Sequence, residues 1–342
     1  MLNGGECDLL YTLIEEYNSV SIIGMCKNAG KTTVLNGLIS ACAKNAEVLG
    51  LTSIGRDGER SDLVTNTKKP EIFVHSGTIV ATAENALNLG DISREILDVA
   101  DMPTPMGSIV IARAMSDGFV QLAGPSMTAQ ISRIRDELLD FGVRRVFIDG
   151  ALSRKSLAMP SVSEAAILCS GASYSPDMLK TVKDTAHAVM LMSLKRTETD
   201  FEWAKKKYAA VRDGERLEFD DIALFSDELR RNSVKSILLR GGFTDLVAAK
   251  LLTAGKKLEN AEIVCEDGSR LLLSGQNAQK LLRAGARLSV LQETRLLAVT
   301  VNPFSAYGNH YDKAAFIDRM RESLPSEVKV INVLESEGRE AC

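Results

Sequence analysis

Reactive residue types are densest in Ser21-Ile22-Ile23-Gly24-Met25-Cys26-Lys27-Asn28-Ala29-Gly30-Lys31-Thr32-Thr33, where an apolar run gives way to a glycine turn and then to Gly-Lys-Thr-Thr. A polyphosphate is held by several backbone N–H groups aimed at it. That requires close main-chain approach at Gly30, and it gains from the positive end of a helix starting at Lys31. On this reading Lys27, Asn28, Ala29, Gly30, Lys31, Thr32 and Thr33 line the cradle. The Lys31 ammonium reaches the β- and γ-phosphates, and Thr32 offers its hydroxyl to Mg²⁺. The expected ligands are ATP and Mg²⁺, since no Asn-Lys-x-Asp guanine motif occurs in the chain.

Acidic residues at two further places would complete such a site. Asp149 follows Val146-Phe147-Ile148; at the carboxyl end of a strand it would hold the magnesium shell, and Gly150 would let the loop move with the γ-phosphate. The second place is Ser53-Ile54-Gly55-Arg56-Asp57-Gly58-Glu59. Either Asp57 or Glu59 could orient an attacking water or ligate magnesium, while Arg56 could offset charge on the transferred phosphoryl group. Gly241-Gly242-Phe243-Thr244-Asp245 is another glycine turn before a helix, read more simply as a plain βα connection, and Asn302-Pro303 could contact a base.

The elements that must position these residues follow from periodicity. Strand-length apolar runs alternate with helix-period segments, the pattern of an α/β protein with a mainly parallel sheet. Residues 20–23 and 48–54 read as strands, and 31–44 as the helix between them. Residues 108–115 and 119–122 read as an antiparallel hairpin about Ser116-Asp117-Gly118, because Asp-Gly between β-rich runs favours a tight reversal. Ser126 suits the N-cap of a helix reaching 141, with Gly142 as its stop, before a strand at 145–148. Further strand-length units fall at 188–194, 236–239, 261–265, 288–291, 296–301 and 328–333, with a helix from 244. Polar stretches at 212–216 and 227–232 place a boundary near 232. The expectation is a phosphate-binding domain over 1–232 and a smaller α/β C-terminal domain over 233–342, a candidate docking surface for a partner.

Composition narrows the function classes. With 342 residues, 45% of them hydrophobic, the chain can bury a sizeable core. A formal charge of -4 creates no general field for a polyanion, so nucleic acid is not an expected partner. The six cysteines include no C-x-x-C pair and no histidine at ligand spacing, which argues against zinc or iron–sulfur chemistry and for free thiols. Residues 1–17 carry Glu6, Asp8, Glu15 and Glu16 without a basic start, and no apolar run is long enough to span a bilayer. The expected location is the cytoplasm, with no membrane partner.

Gly24 and Gly30 enclose five residues, one more than the usual P-loop pattern. That length resembles dethiobiotin synthetase and the cobyrinic acid diamide synthases, and Lys27 resembles the extra lysine of deviant loops in their class, one residue nearer to Lys31. Together with the cradle at 24–33, the segments Leu-Thr-Ser-Ile-Gly-Arg-Asp-Gly-Glu (51–59), Leu-Ala-Gly-Pro-Ser (122–126), Ile-Asp-Gly-Ala-Leu-Ser-Arg-Lys-Ser (148–156) and Val-Asn-Pro-Phe-Ser (301–305) resemble the KamB-type subunit of the lysine 5,6-aminomutase reactivase. The resemblance implies a P-loop NTPase fold and ATP-dependent exchange of damaged cobalamin in the adenosylcobalamin-dependent lysine 5,6-aminomutase. It also implies that aminomutase and a second, MutS-related ATPase subunit as partners. Two other readings stay open at this point: a carboxylate ligase resembling dethiobiotin synthetase, and a nucleotide-binding scaffold that does not hydrolyse.

Overall fold

Six consecutive buried residues, Ser19–Gly24, form strand β1, as an apolar run does when both faces of a parallel sheet are covered. The computed structural model describes residues 4–55, 71–151, 161–200 and 202–333. The chain is α/β and divides into two compact units, one of Met1–Thr185 with Leu296–Cys342 and one of Ala186–Arg295.

In the larger unit α1 (Gly4–Ile14) precedes β1, and α2 (Lys31–Lys44) and β2 (Leu49–Ser53) follow it. Next come β3 (Ile72–Val74), β4 (Ile79–Ala83), the short α3 (Glu84–Leu87), β5 (Arg94–Thr104), β6 (Gly107–Ala114) and β7 (Gly118–Val120). Then α4 (Thr128–Asp140), β8 (Arg145–Ala151) and β9 (Ala165–Gly171) follow, and α5 (Met178–Met192) carries the chain across the division at Thr185 into the smaller unit. The smaller unit contains β10 (Tyr208–Arg212), β11 (Glu215–Phe219), α6 (Ile222–Arg231), β12 (Ser236–Leu239), β13 (Phe243–Thr244) and α7 (Asp245–Leu252). It ends with β14 (Glu262–Asp267), β15 (Leu271–Leu272), α8 (Gly275–Arg283) and β16 (Arg287–Gln292). The chain then returns to the larger unit as β17 (Leu296–Asn302), α9 (Lys313–Ser323) and β18 (Lys329–Asn332).

The larger sheet has the order β18-β17-β9-β1-β8-β2-β4-β6-β5. Every pairing from β18 to β4 is parallel, and β6 and β5 extend the edge antiparallel. One face packs on α2: Val20, Ile22, Leu49, Leu51 and Phe147 share a core with Val34, Leu35, Leu38 and Ile39. At the amino end of the sheet the fully buried Arg145 closes the structure, with its guanidinium 2.9 Å from Glu47 and donating to the carbonyls of Tyr17 and Glu15. The smaller sheet runs β11-β10-β12-β14-β16, with β12, β14 and β16 parallel and β10 antiparallel to both its neighbours.

Several expectations are corrected. Residues 108–115 do form a strand, β6, but its hairpin partner is β5, across Pro105 and Met106. The segment expected at 119–122 pairs with β3 instead, as β7. The Asp117 carboxylate accepts from Ser76 N at 2.8 Å and faces His75 Nδ1 at 3.2 Å, which ties the β6–β7 link to the turn before β4 instead of closing a tight reversal. Residues 188–192 are the end of helix α5, not a strand: buried Thr181, Val182, Thr185, Ala188, Val189 and Met192 follow the helical period. Helix α4 starts at Thr128 with Met127, not Ser126, at its cap. The expected cut at 232 falls between α6 and β12, inside the smaller sheet, and β17 and β18 rejoin the larger one. The smaller unit is therefore an insertion, not a C-terminal domain. Among the described residues no helix is long and apolar enough to cross a membrane.

Candidate functional site

The chain leaves β1 at Gly24, and the next residue is pinned by Met25 N donating to Cys169 O at 2.8 Å, at the end of β9. Two left-handed residues, Asn28 (φ 60°) and Gly30 (φ 98°), curl the main chain over the end of the sheet. That conformation suits glycine and is tolerated by asparagine. Gly30 is also the N-cap of α2, whose first turn has neither a side-chain cap nor an acidic residue. The positive end of the helix is thus left for an outside anion. A Cβ at Gly30 would stand 3.1 Å from Val333 Cγ2 and 3.6 Å from Asn302 Cβ, so the loop is backed by β17 and the residue after β18.

Lys31 folds back over the end of β1. A Cβ at Gly24 would stand 3.0 Å from the Cγ, Cδ and Nζ of Lys31, so the glycine makes room for the lysine. On the neighbouring strand, Asp149 is in register with Ile22 on one side and with Ser53 of β2 on the other. Counting in twos from Phe147 and Leu51, which both pack on α2, puts the Asp149 and Ser53 side chains on that same face. Asp149 Oδ1 and Ser53 Oγ are buried and have no hydrogen-bond partner among the described residues. Such an orphan costs about 1–3 kcal/mol. Burial raises the pKa of Asp149, opposed by the Lys31 ammonium and by the N–H of Gly150. A carboxylate that is destabilised unless a cation approaches has the chemistry of a metal or charge-sensing site.

The segment before α4 crosses the end of β2 at close range. A Cβ at Gly124 would overlap the carbonyl oxygen of Ser53. Gly55 N donates to Pro125 O at 2.9 Å, and Ile54 N to Asp149 O at 3.1 Å. The segments 24–33, 51–55, 122–126, 148–151 and 301–305 therefore meet at the carboxyl ends of neighbouring strands.

The other expected residues are placed as follows. Lys27 is exposed, Ala29 is buried, and Asn28, Thr32 and Thr33 are half-buried, the two threonines lying in the first turn of α2. Asp57 and Glu59, like Arg56, lie outside the described residues. Asn302 adjoins Gly30, and its Oδ1 accepts from Phe304 N at 3.0 Å. Burial pushes the Cys26 thiol up to about 11, which keeps it a neutral thiol rather than a nucleophile. In the turn after β12, Thr244 caps α7, and Asp245 accepts from Ser274 N at 2.8 Å and from Ser274 Oγ at 3.0 Å. Ser53 and Gly124 are additions to the expected set. The alternation Leu49, Leu51, Ser53 was the signal that could have found Ser53, since it carries a polar residue onto the core face at a strand's carboxyl end. No model of a known protein family matches this chain, and a search of curated proteins finds no match either.

Proposed function

We propose that the chain is a P-loop nucleoside triphosphatase that binds ATP with Mg²⁺ in the cradle formed by Lys27–Thr33. The observation that carries this reading is the Lys31 side chain folded over Gly24, with an uncapped helix start beside it and an Asp149 carboxylate whose Oδ1 has no partner among the described residues. The main chain of Gly30–Thr33 would receive the phosphates, and the Lys31 ammonium would offset their charge. A hydroxyl and a carboxylate are hard oxygen donors of the kind Mg²⁺ takes alongside its waters, so Thr32 and Asp149 fit as its holders. Bound there, the ion would neutralise charge on the β- and γ-phosphates. Asp57 or Glu59 would orient the attacking water, and Asn302, which adjoins Gly30, would contact the base.

The role we assign to this binding is ATP-dependent reactivation of lysine 5,6-aminomutase by exchange of its damaged cobalamin, together with a MutS-related subunit. Its support is that the described parts of the segments carrying the sequence resemblance meet at the carboxyl ends of neighbouring strands. The loops after Ile54 and Ile148 would carry the state of the γ-phosphate to the partner, because a ligand shifts a shape equilibrium only by contacting its two states differently. The test is ATP hydrolysis measured on the chain alone, with the aminomutase, and with the MutS-related subunit, beside recovery of aminomutase inactivated by cobalamin damage. Stimulated hydrolysis together with recovered activity is the expected result. Turnover that neither partner raises, with no recovery, would sink the assignment.

A further inference from the structure

Ser53 carries a hydroxyl that no contact among the described residues explains. It ends β2, is 4% exposed, and stands in register with Asp149 on the face covered by α2. Adjacent strands lie about 4.8 Å apart, so the two side chains spring from neighbouring positions. Ser53 Oγ and Asp149 Oδ1 are both unpartnered among the described residues. Other buried hydroxyls nearby behave differently: Thr52 Oγ1 donates to Ala81 O at 3.0 Å and Thr82 Oγ1 to Gln121 O at 3.0 Å. The residue is also held firmly, because the main chain at Gly124 lies directly against the Ser53 carbonyl. Two orphaned oxygens side by side, fixed by a close backbone crossing, make a half-built hydration site.

We propose that Ser53 is a positioning residue for magnesium, its hydroxyl holding a metal-bound water beside Asp149. The proposal rests on the nucleotide reading above. A hydroxyl can accept from a water and donate to a carboxylate at once, so the pair gains its missing partners when the ion arrives.

The experiment compares Ser53→Ala and Ser53→Cys with the native chain in three measurements: ATP binding in EDTA, ATP binding against rising Mg²⁺, and thermal melting without ligand. The cysteine variant keeps the volume if alanine alone perturbs folding. In both variants, binding in EDTA should match the native chain, while the Mg²⁺ needed for half-maximal binding should rise about 10–100-fold, the usual loss on removing a partner of a metal-bound group. Melting of the free variants should be unchanged or higher, since an unsatisfied polar group has been removed. A serine with a purely structural role would instead lower the melting temperature and leave the Mg²⁺ titration in place. If the native chain binds ATP and both variants follow its Mg²⁺ titration, this inference alone is overturned. If the native chain binds no ATP with or without Mg²⁺, the nucleotide reading falls and takes the inference with it.

Discussion

In the inserted unit, Asp267 at the end of β14 accepts from Ser269 N at 2.8 Å, and Asp245 after the Gly241-Gly242 turn is held by Ser274. Its helices α6, α7 and α8 begin with side-chain caps from Asp221, Thr244 and Ser274. In the larger unit, α2 and α4 begin without a side-chain cap, and Asp149 Oδ1 and Ser53 Oγ are unpartnered among the described residues. Both regions place a glycine turn between a parallel strand and a helix, yet the Thr244 and Asp245 side chains beyond one turn are partnered, whereas Asp149 Oδ1 and Ser53 Oγ beside the other have no partner among the described residues. The pattern of glycines does not make a binding site. Unmet hydrogen-bonding capacity beside such a turn is the added feature that the proposed site rests on, because each unsatisfied group carries a cost that a ligand could offset.

The contrast is broken most directly at the lysine. Lys31→Ala should weaken MgATP binding about 100-fold or more, close to 2.8 kcal/mol at 1.4 kcal/mol per decade. Gly241→Ala, whose added Cβ would meet nothing within 4 Å, should leave the same calorimetric titration unchanged. Equal affinities for the two variants would erase the distinction between the regions. Gly124→Ala comes next: its Cβ overlaps main chain that cannot step aside, so denaturant unfolding should show a loss of about 1–3 kcal/mol.

A sharper comparison sets one carboxylate against the other. Asp267→Ala removes a cap and should cost about 0.5–2 kcal/mol. Asp149→Asn relieves a buried charge and should raise the stability of the ligand-free chain at neutral pH while removing the Mg²⁺ dependence of binding. Same-sign shifts in denaturant midpoint would show that the two acids do similar jobs. The smallest effect is in pH. Because the folded pKa of Asp149 is raised above 3.8, its contribution to stability is fully present below that value and is lost as pH rises through the folded pKa. The stability gap between Asp149→Asn and the native chain should therefore open as pH increases from 3.8 through the raised folded pKa. Mg²⁺-dependent binding should move the other way and weaken on acidification; a gap constant across the range would contradict the buried-charge account.

How much could be read beforehand follows from where the determinants lie. Strand β12 and helix α2 have the limits that periodicity indicates, because their signals are local: Gly30 stops the turn, and Val34, Leu35, Leu38 and Ile39 repeat at helical spacing. The β5–β6 hairpin is not legible, since Asp117-Gly118 has the residue types of a tight turn while the Asp117 carboxylate in fact answers the N–H of Ser76. β9, in the interior of the sheet, is Ala-Ala-Ile-Leu-Cys-Ser-Gly, an apolar run whose type periodicity alone cannot assign. The insertion was hidden for a related reason: nothing in Leu296–Asn302 announces that it pairs with β9. At the candidate site, residue types and spacing point to Lys31 and Asp149, but the unpartnered state of Ser53 among the described residues depends on strand register, which sequence spacing does not reveal.

The backing of Gly30 by Asn302 and Val333 has a consequence for biosynthesis. A ribosome adding about 5–20 residues per second would need on the order of 15–60 s to travel from the loop to its far wall. During that interval the inserted unit emerges and can fold, while the loop lacks the strands that support it. Completion of the loop's support is thereby deferred until translation has passed the insertion, so an early-made sequence reaches its final surroundings late.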